Sequence, residues 1–311
     1  MQHDFWLVLL QVLRIKVFTC GHHAIVAGLV CLRVGFHISI HGSIDMAADR
    51  AAEVGCNTFQ IFTRSPRQWY SAKLAPEAAE AFSDKVKSYG MKPVFAHMPY
   101  LPNLASPRDE VYEKSVKTLT SELERCRQLE IPYLVTHLGS HLGEGMQAGF
   151  VRLINGINQA FKATGGEVML LLENTAGTRN SMGSTVEDIQ YIIERLSHPE
   201  RAGVCFDTSH AFAAGYDLRT GETVEATVRK IDEVIGFEKL KLVHLNDSKG
   251  DFNSRIDRHE HIGMGKIGEE GFRSILGSKL GELPLIMETP KDARRSDAGN
   301  IEKVKELAVG L

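Results

Sequence analysis

The feature that most constrains the fold of this chain is a regular alternation of short apolar segments with longer segments of helical periodicity, which begins at Val34. We count eight such repeats. The apolar segments have the length and composition of strands buried on both faces, as in a parallel sheet covered by helices. The predicted strands are residues 34–40, 58–62, 93–97, 133–137, 168–173, 203–207, 241–245 and 284–288. Residues 76–89 and 107–129 are predicted helices, because each begins with a proline that the first helical turn tolerates.

Eight strand–helix units predict an α/β protein with a closed (β/α)8 TIM barrel, and a chain of 311 residues is long enough for one. We expect a single domain over residues 34–311. Residues 1–33 fit no strand–helix unit and are interpreted as an appended N-terminal segment. This segment either is disordered or reflects a start codon assigned too early, the alternative being a targeting or anchoring role.

Composition excludes several classes of protein. With 36 basic and 39 acidic residues the net charge is −3, so no overall field attracts nucleic acid and any DNA site must be local. Five cysteines without a CxxC pair argue against a disulfide framework or a zinc knuckle, and indicate a reducing, cytoplasmic location. The longest apolar runs, residues 5–10 and 24–32, are far shorter than a membrane span, so we expect no membrane partner.

Six of the predicted strands end in a residue with metal-ligand chemistry. Any one of them could be a buried polar residue satisfied by the backbone. In a TIM barrel, however, the C-terminal strand ends form one rim that carries the active site. Three imidazoles and three carboxylates on that rim would repel or stay unpaired unless cations neutralise them, which predicts divalent metal: zinc, iron or manganese. The six are His97, His137, Glu173, Asp207, His244 and Glu288.

Two further fragments extend this set. His210 follows Asp207 by three residues, and the segment after the seventh predicted strand contains Asp257 and His259. An Asp-x-His pair can present both side chains to one ion across a turn. The alternative for this second fragment is a solvated charged loop.

The chain resembles the endonuclease IV family of apurinic/apyrimidinic DNA endonucleases over roughly residues 34–307. The resemblance is carried by GFHISIHGSI, SPRQW, HLGSH, ENTAG, FDTSHAFAAGYD, HLNDSK, DRHEHIGMGKIG and METP, in the order and spacing of the family. It implies a barrel with three Zn²⁺ ions, for which Mn²⁺ or Fe²⁺ can substitute. It also implies hydrolysis of the phosphodiester 5′ to an abasic site in double-stranded DNA, during base excision repair. The products are a 3′-hydroxyl and a 5′-deoxyribose phosphate.

The resemblance also implies a role for each candidate ligand. Glu173 bridges two metal ions and is the expected catalytic residue. The ligands are His97 and His137 for the first ion, Asp207, His244 and Glu288 for the second, and His210, Asp257 and His259 for the third.

Two loops near the predicted metals carry residues suited to DNA. By resemblance, Arg67 and Tyr100 belong to loops that enter the duplex and hold the abasic nucleotide out of the stack. The expected DNA-contacting residues are Arg67, Gln68, Trp69, Tyr100 and Leu101. Further cations suited to the DNA backbone follow the second and seventh strands: Arg64, Lys73, Lys249, Arg255 and Arg258. We expect His141 to orient a metal ligand or a phosphate oxygen, the alternative being an ordinary loop histidine.

Two other functions compete with this one. A xylose-isomerase-like sugar isomerase or epimerase would use the four rim ligands from the fifth to the eighth strand, but leaves His97, His137 and the third metal set unexplained. A DNA-lesion binder without enzymatic activity would keep the basic loops and need no metal. We expect a monomer.

Overall fold

A computed structural model describes residues 32–311 in full, together with the backbone of two short segments before them. These segments, β1 (Val17–Cys20) and β2 (His23–Val26), pair as antiparallel strands. Apart from Leu32 and Arg33, the other residues of the predicted appended segment lie outside the described residues, and the prediction that this segment is disordered or wrongly assigned lies there too.

Eight parallel strands close into a barrel, which confirms the predicted TIM barrel. They are β3 (Val34–Ile38), β4 (Phe59–Phe62), β5 (Val94–His97), β6 (Tyr133–His137), β7 (Met169–Glu173), β8 (Ala202–Asp207), β9 (Leu240–His244) and β12 (Leu285–Met287). Each overlaps one predicted strand. Around the barrel the strands follow chain order, and β12 closes it between β9 and β3. Two short strands, β10 (Asp247–Ser248) and β11 (His259–Glu260), form an antiparallel pair after β9.

Helices surround the barrel and connect its strands. They are α1 (Met46–Val54), α2 (Pro76–Ser88), α3 (Asp109–Gln128), α4 (Met146–Ala163), α5 (Val186–Ile193), α6 (Thr208–Ala214), α7 (Gly221–Val234), α8 (Gly268–Gly277) and α9 (Asp297–Leu307). Short 3-10 turns lie at Pro199–Arg201, Phe237–Lys239 and Lys279–Glu282. In the part of the chain that the structure describes, none of the helices has the length and apolar character needed to cross a membrane.

The two helices predicted from proline signals are confirmed, with small differences at their ends. α2 begins at Pro76 itself, because proline has no N–H group to leave unpaired in a first turn. α3 begins two residues after Pro107, and its first turn carries Asp109 and Glu110 while its last turn carries Arg125 and Arg127. These charges complement the helix dipole at both ends and stabilise the helix by a few tenths of a kcal/mol each.

The interior of the barrel is a small apolar layer with one residue from each of six strands. The layer consists of Phe95, Val135, Leu171, Cys205, Leu242 and Ile286. On β3, Gly35 lies so close to the neighbouring chain that a Cβ atom would sit 1.7 Å from the carbonyl oxygen of Thr58. Only glycine fits there, which lets β3 approach this neighbouring segment.

Candidate metal centre

The period of two residues along a strand explains how the rim is built. Side chains on a strand alternate between the two faces, so the residue two positions after an interior residue also points inward. Each apolar residue of the interior layer is followed, two positions later, by one of the six predicted strand-end ligands: His97, His137, Glu173, Asp207, His244 and Glu288. The same alternation that fills the barrel therefore gathers these side chains into one layer at its C-terminal mouth.

Glu173 lies at the centre of this layer and is fully buried. Its Oε2 atom is 3.1 Å from Nε2 of His97 and 3.7 Å from Nδ1 of His137. Its Oε1 atom is 3.2 Å from Nδ1 of His244 and 3.4 Å from Nδ1 of His210. The two oxygens of one carboxylate thus face two different sets of imidazoles, as a bridging ligand does.

Glu288 and Asp207 complete the surroundings of His244. The Nδ1 atom of His244 is 3.6 Å from Oε2 of Glu288 and 3.9 Å from Oδ2 of Asp207. Ligand atoms of Glu173, Asp207 and His244 all lie within 4.8 Å of one another, as do those of His97, His137 and Glu173. Either group could hold an ion.

A third group involves the two fragments outside the strands. Nε2 of His210 lies 3.1 Å from Oδ1 of Asp257, and Nε2 of His259 lies 3.9 Å from the same oxygen. The β10–β11 pair places His259, because Ser248 and His259 are partners in its register. Asp207 also belongs to this group, since its ligand atom lies within 4.8 Å of those of His210 and His259. All nine predicted ligand residues therefore come together at one mouth of the barrel.

Backbone carbonyls orient three of the histidines. The Nδ1 atom of His97 donates to the carbonyl of Met98 at 2.7 Å, that of His210 to Asn174 at 3.0 Å, and that of His259 to Glu288 at 3.2 Å. A carbonyl only accepts, so these contacts leave Nε2 of each neutral ring with a free lone pair. Nε2 of His259 is buried and has no hydrogen-bond partner among the described residues. A buried, unpartnered nitrogen beside two carboxylates fits a metal ligand.

The buried carboxylates and imidazoles of the centre stabilise each other's charged forms, which shifts their pKa values. Burial opposes the negative charge of Glu173, but His137 and His244 outweigh burial and hold the pKa of this carboxyl well below its ordinary value. Burial likewise opposes protonation of His210, but Asp207, Asp257 and Glu173 outweigh it and raise the pKa of His210 well above its ordinary value. The residues of the centre therefore hold strong negative charge that cations, either protons or metal ions, must compensate.

A cavity of about 760 Å³ opens above this centre and is lined by ligand residues together with residues of the loop after β4. Arg67 and Tyr100 line it, and the loops that carry them are joined by the N–H of Tyr100, which donates to the carbonyl of Pro66 at 3.2 Å. Tyr100 is 63% exposed, although its ring lies 5.0 Å from that of Phe62. The other expected DNA-contacting residues, Gln68, Trp69 and Leu101, lie in the same two loops but do not line the cavity.

One residue differs from what the sequence suggests, and a second has contacts that the sequence does not reveal. The sequence places Arg64 among the cations available to DNA, but Arg64 is only 6% exposed and its Nε donates to the buried carboxylate of Glu122 on α3. This ion pair anchors the loop after β4 to a helix. The Nδ1 atom of His141 accepts from the N–H groups of Gly143 at 3.2 Å and Gly145 at 3.0 Å, so this ring orders its own loop.

Sequence reasoning missed three buried amides that hold the ligands. Asn246 donates from Nδ2 to Oδ2 of Asp207 at 2.8 Å and accepts at Oδ1 from the N–H of Glu288, also at 2.8 Å. Asn174 accepts at Oδ1 from the N–H of Asp207 at 2.7 Å. Gln60 contacts both His244 and Glu288. The sequence contains a signal for two of these amides, because Asn174 directly follows a predicted ligand and Gln60 is a polar residue within an apolar strand.

Comparison with known proteins gives this geometry a family. A family model described as a xylose isomerase-like TIM barrel matches residues 48–308. The chain is 58% identical over 277 residues to a probable endonuclease 4 of Methanoculleus marisnigri, covering 88% of this chain and 98% of that protein. It is 49% identical over 280 residues to a probable endonuclease 4 of Nitrosopumilus maritimus, covering 89% and 100%.

Solved structures agree with these relatives. The crystal structure of endonuclease IV from Thermus thermophilus matches with a TM-score of 0.79 and 35% identity, over 88% of this chain and 98% of that one. A D-tagatose 3-epimerase-like protein matches with a TM-score of 0.66 but only 21% identity, over 89% and 97%, and so shares the fold alone. The isomerase-like resemblance is thus one of architecture, and the chain belongs to the endonuclease IV family.

Proposed function

We propose that this protein is a metal-dependent apurinic/apyrimidinic endonuclease. It hydrolyses the phosphodiester 5′ to an abasic site in double-stranded DNA, in base excision repair. Water adds across the bond between phosphorus and the 3′-oxygen, so the products are a 3′-hydroxyl and a 5′-deoxyribose phosphate. The observation that carries the proposal is the convergence of nine ligand-type side chains, with Glu173 buried at their centre, in a chain whose relatives are named endonuclease 4.

Three zinc ions are the proposed cofactor, with Mn²⁺ or Fe²⁺ as substitutes. Imidazole and carboxylate are suitable ligands for all three metals, and the three overlapping groups of ligand atoms support a cluster rather than one isolated ion. When bound, such ions activate water and stabilise both the attacking and the leaving oxygen of a phosphoryl transfer. Glu173 is the proposed bridging and catalytic residue, because its two oxygens face different imidazoles.

The surrounding residues bind and orient the substrate. Arg67 supplies a positive charge at the edge of the cavity, where a DNA phosphate can pair with it. Tyr100 is an exposed aromatic ring backed by Phe62, which suits it to fill the space that a missing base leaves. Gln68, Trp69 and Leu101 are proposed to contact the same duplex. His141 acts indirectly, by ordering the loop that follows His137.

The sugar isomerase is the weaker candidate. It would use Glu173, Asp207, His244 and Glu288, but it gives no role to the third group, in which His210 and Asp257 approach within 3.1 Å. A DNA-lesion binder without chemistry gives no role to any of the groups. We further propose that the protein acts as a monomer in the cytoplasm.

A single assay separates these functions. The zinc-reconstituted chain is incubated with a labelled duplex that contains one tetrahydrofuran abasic analogue, and with the same duplex without it. We expect one nick 5′ to the analogue, a 3′ end that a polymerase extends, and loss of nicking after chelation. Binding without nicking would support the lesion binder, whereas the absence of both binding and nicking would favour the isomerase.

A further inference from the structure

One buried side chain at the metal centre has no role in the proposed chemistry. Gln60 lies in β4, where it is flanked by the apolar residues Phe59 and Ile61 and is fully buried. Its register partner on β5 is Phe95, a residue of the interior layer, so Gln60 also points into the barrel. A buried amide is costly unless it is hydrogen-bonded, so the partners of Gln60 indicate what it does.

All the hydrogen-bond partners of this amide belong to the centre or its edge. Oε1 of Gln60 lies 2.9 Å from Nε2 of His244. Nε2 of Gln60 lies 2.9 Å from Oε1 of Glu288 and 2.9 Å from Nδ1 of His37. A residue needed only for packing would be apolar at this position, as its neighbours on the strand are.

The carboxylate of Glu288 decides which way the amide faces. If the amide were turned over, its oxygen would lie against Oε1 of Glu288, and two acceptors would repel each other. Glu288 therefore selects the orientation in which Gln60 donates to it, since an ionised carboxylate only accepts.

The orientation of Gln60 in turn decides which nitrogen of His244 is available. With Oε1 of Gln60 as its neighbour, Nε2 of His244 must carry a hydrogen and donate. The lone pair of the neutral ring is then on Nδ1, which faces Glu173 at 3.2 Å and Glu288 at 3.6 Å. Nδ1 is the nitrogen that a metal ion between these carboxylates would use. Three other ligand histidines are oriented by backbone carbonyls, whereas His244 depends on a side chain.

We propose that Gln60 is a positioning residue of the metal centre. Its amide is oriented by the carboxylate of Glu288, and it fixes the tautomer of His244 that leaves Nδ1 free to bind metal. This inference rests on the proposed metal-dependent function, because it assigns His244 and Glu288 as ligands of one ion. It predicts that Gln60 controls metal affinity without contacting metal.

The test compares Gln60→Met with Ile61→Val in the zinc-loaded full-length protein. Methionine keeps the length of the side chain but can neither accept from His244 nor donate to Glu288. Ile61 is the matched control, because it is equally buried on the same strand but belongs to the outer apolar core between strands and helices. Zinc release is followed with a chromophoric chelator at increasing concentration, and the melting temperature of each metal-free protein is measured alongside.

We expect Gln60→Met to release one zinc ion at a chelator concentration about 10- to 100-fold lower than wild type, as for other residues that orient metal ligands. Ile61→Val should release zinc as wild type does. Equal zinc retention in Gln60→Met and wild type would overturn the proposed role of Gln60 but not the metal centre. A wild-type protein that retains no zinc after reconstitution would overturn the metal centre itself.

A second measurement needs no variant of Gln60. Long-range ¹H–¹⁵N spectra of ¹⁵N-histidine-labelled, zinc-loaded wild type report which ring nitrogen carries hydrogen, and a His244→Gln sample identifies the signal of His244. We expect hydrogen on Nε2 and zinc on Nδ1. Hydrogen on Nδ1 would overturn the inference whether or not the Gln60 variant folds.

Discussion

Nε2 of His97 lies 3.1 Å from Oε2 of Glu173, although the two residues are 76 positions apart. They belong to β5 and β7, which are separated in the barrel by β6. The contact exists because both side chains point inward from the last positions of their strands. Side chains alternate along each strand, so the inward-facing residues at the strand ends meet at one mouth of the closed barrel. Glu173 lies between the ligand groups on its two sides.

Glu173→Gln tests the proposed bridge. The substitution keeps the volume of the side chain but removes the negative charge that two metal ions would share. We expect nicking of abasic DNA to fall by roughly 10²–10³-fold, because metal-based stabilisation of a phosphoryl transfer amounts to several kcal/mol. The measurement is the single-turnover rate on an abasic duplex.

Glu167→Gln is the matched control for this substitution. Glu167 is an exposed carboxylate two residues before the same strand. It should nick at the wild-type rate. A Glu173→Gln protein that retains its metal and nicks as wild type does would show that Glu173 is not the bridge.

Metal content tests the number of ions. The nine candidate ligand residues exceed what one ion needs, since zinc commonly takes about four ligands. Seven of them form three overlapping groups. We expect close to three zinc ions per chain after reconstitution and gel filtration, measured by elemental mass spectrometry. One ion per chain would contradict the cluster and favour the isomerase-like use of the rim.

Much of this architecture could be predicted from the sequence, for physical reasons. Strands buried on both faces are continuous apolar segments, so most barrel strands are recognisable as runs that end in a polar residue. His97 and Glu173 are both identified in this way. Because the C-terminal ends of barrel strands share one rim, their proximity follows from the fold without any knowledge of the distances.

Contacts that depend on side-chain direction could not be predicted. Arg64 follows β4 just as Arg67 does, yet it turns inward to Glu122, and only the position of α3 decides this. Gln60 is a single polar residue within a strand, and such a residue can face the helices or the barrel interior. Asp207 lies near two groups of ligands, a fact that depends on the β10–β11 pair rather than on its own spacing.

Arg67→Ala tests the DNA surface. Arg67 is exposed at the edge of the cavity and has no ligand role, so its loss should weaken binding more than chemistry. We expect Arg67→Ala to bind the abasic duplex about 10-fold more weakly than wild type, as for the loss of one charged hydrogen bond. The slope of the log binding constant against log salt concentration should become shallower by about one. The single-turnover rate at saturating enzyme should stay near wild type.

Arg229→Ala provides the comparison for Arg67. Arg229 is an exposed arginine on α7, away from the residues that line the cavity. It should leave both affinity and salt dependence unchanged. Equal effects of the two substitutions would indicate a nonspecific loss of charge and contradict the proposed surface.

The pH dependence of zinc binding follows from His210. Burial opposes protonation of this ring, but Asp207, Asp257 and Glu173 outweigh burial and raise its pKa well above the ordinary value. A proton on this ring must leave before zinc binds, so we expect proton release on zinc binding and weaker zinc binding as the pH falls. Calorimetry in two buffers of different ionisation enthalpy measures this, and identical heats in both would contradict it.

Two N-terminal deletions test where the folded domain begins. The predicted boundary follows Arg33, but two backbone carbonyls before it bond to the barrel. The carbonyl of Arg33 accepts from the N–H of Leu285 at 2.8 Å. The carbonyl of Leu32 accepts from Nδ2 of Asn57, also at 2.8 Å.

Removing residues 1–31 keeps both bonds, and we expect a nearly unchanged melting temperature and nicking rate. Removing residues 1–33 breaks them and should cost about 2 kcal/mol, at about 1 kcal/mol for each bond. Thermal denaturation should then show a loss of several degrees for the longer deletion only. A large loss for the shorter deletion would mean that the preceding residues contribute to the stability of the barrel.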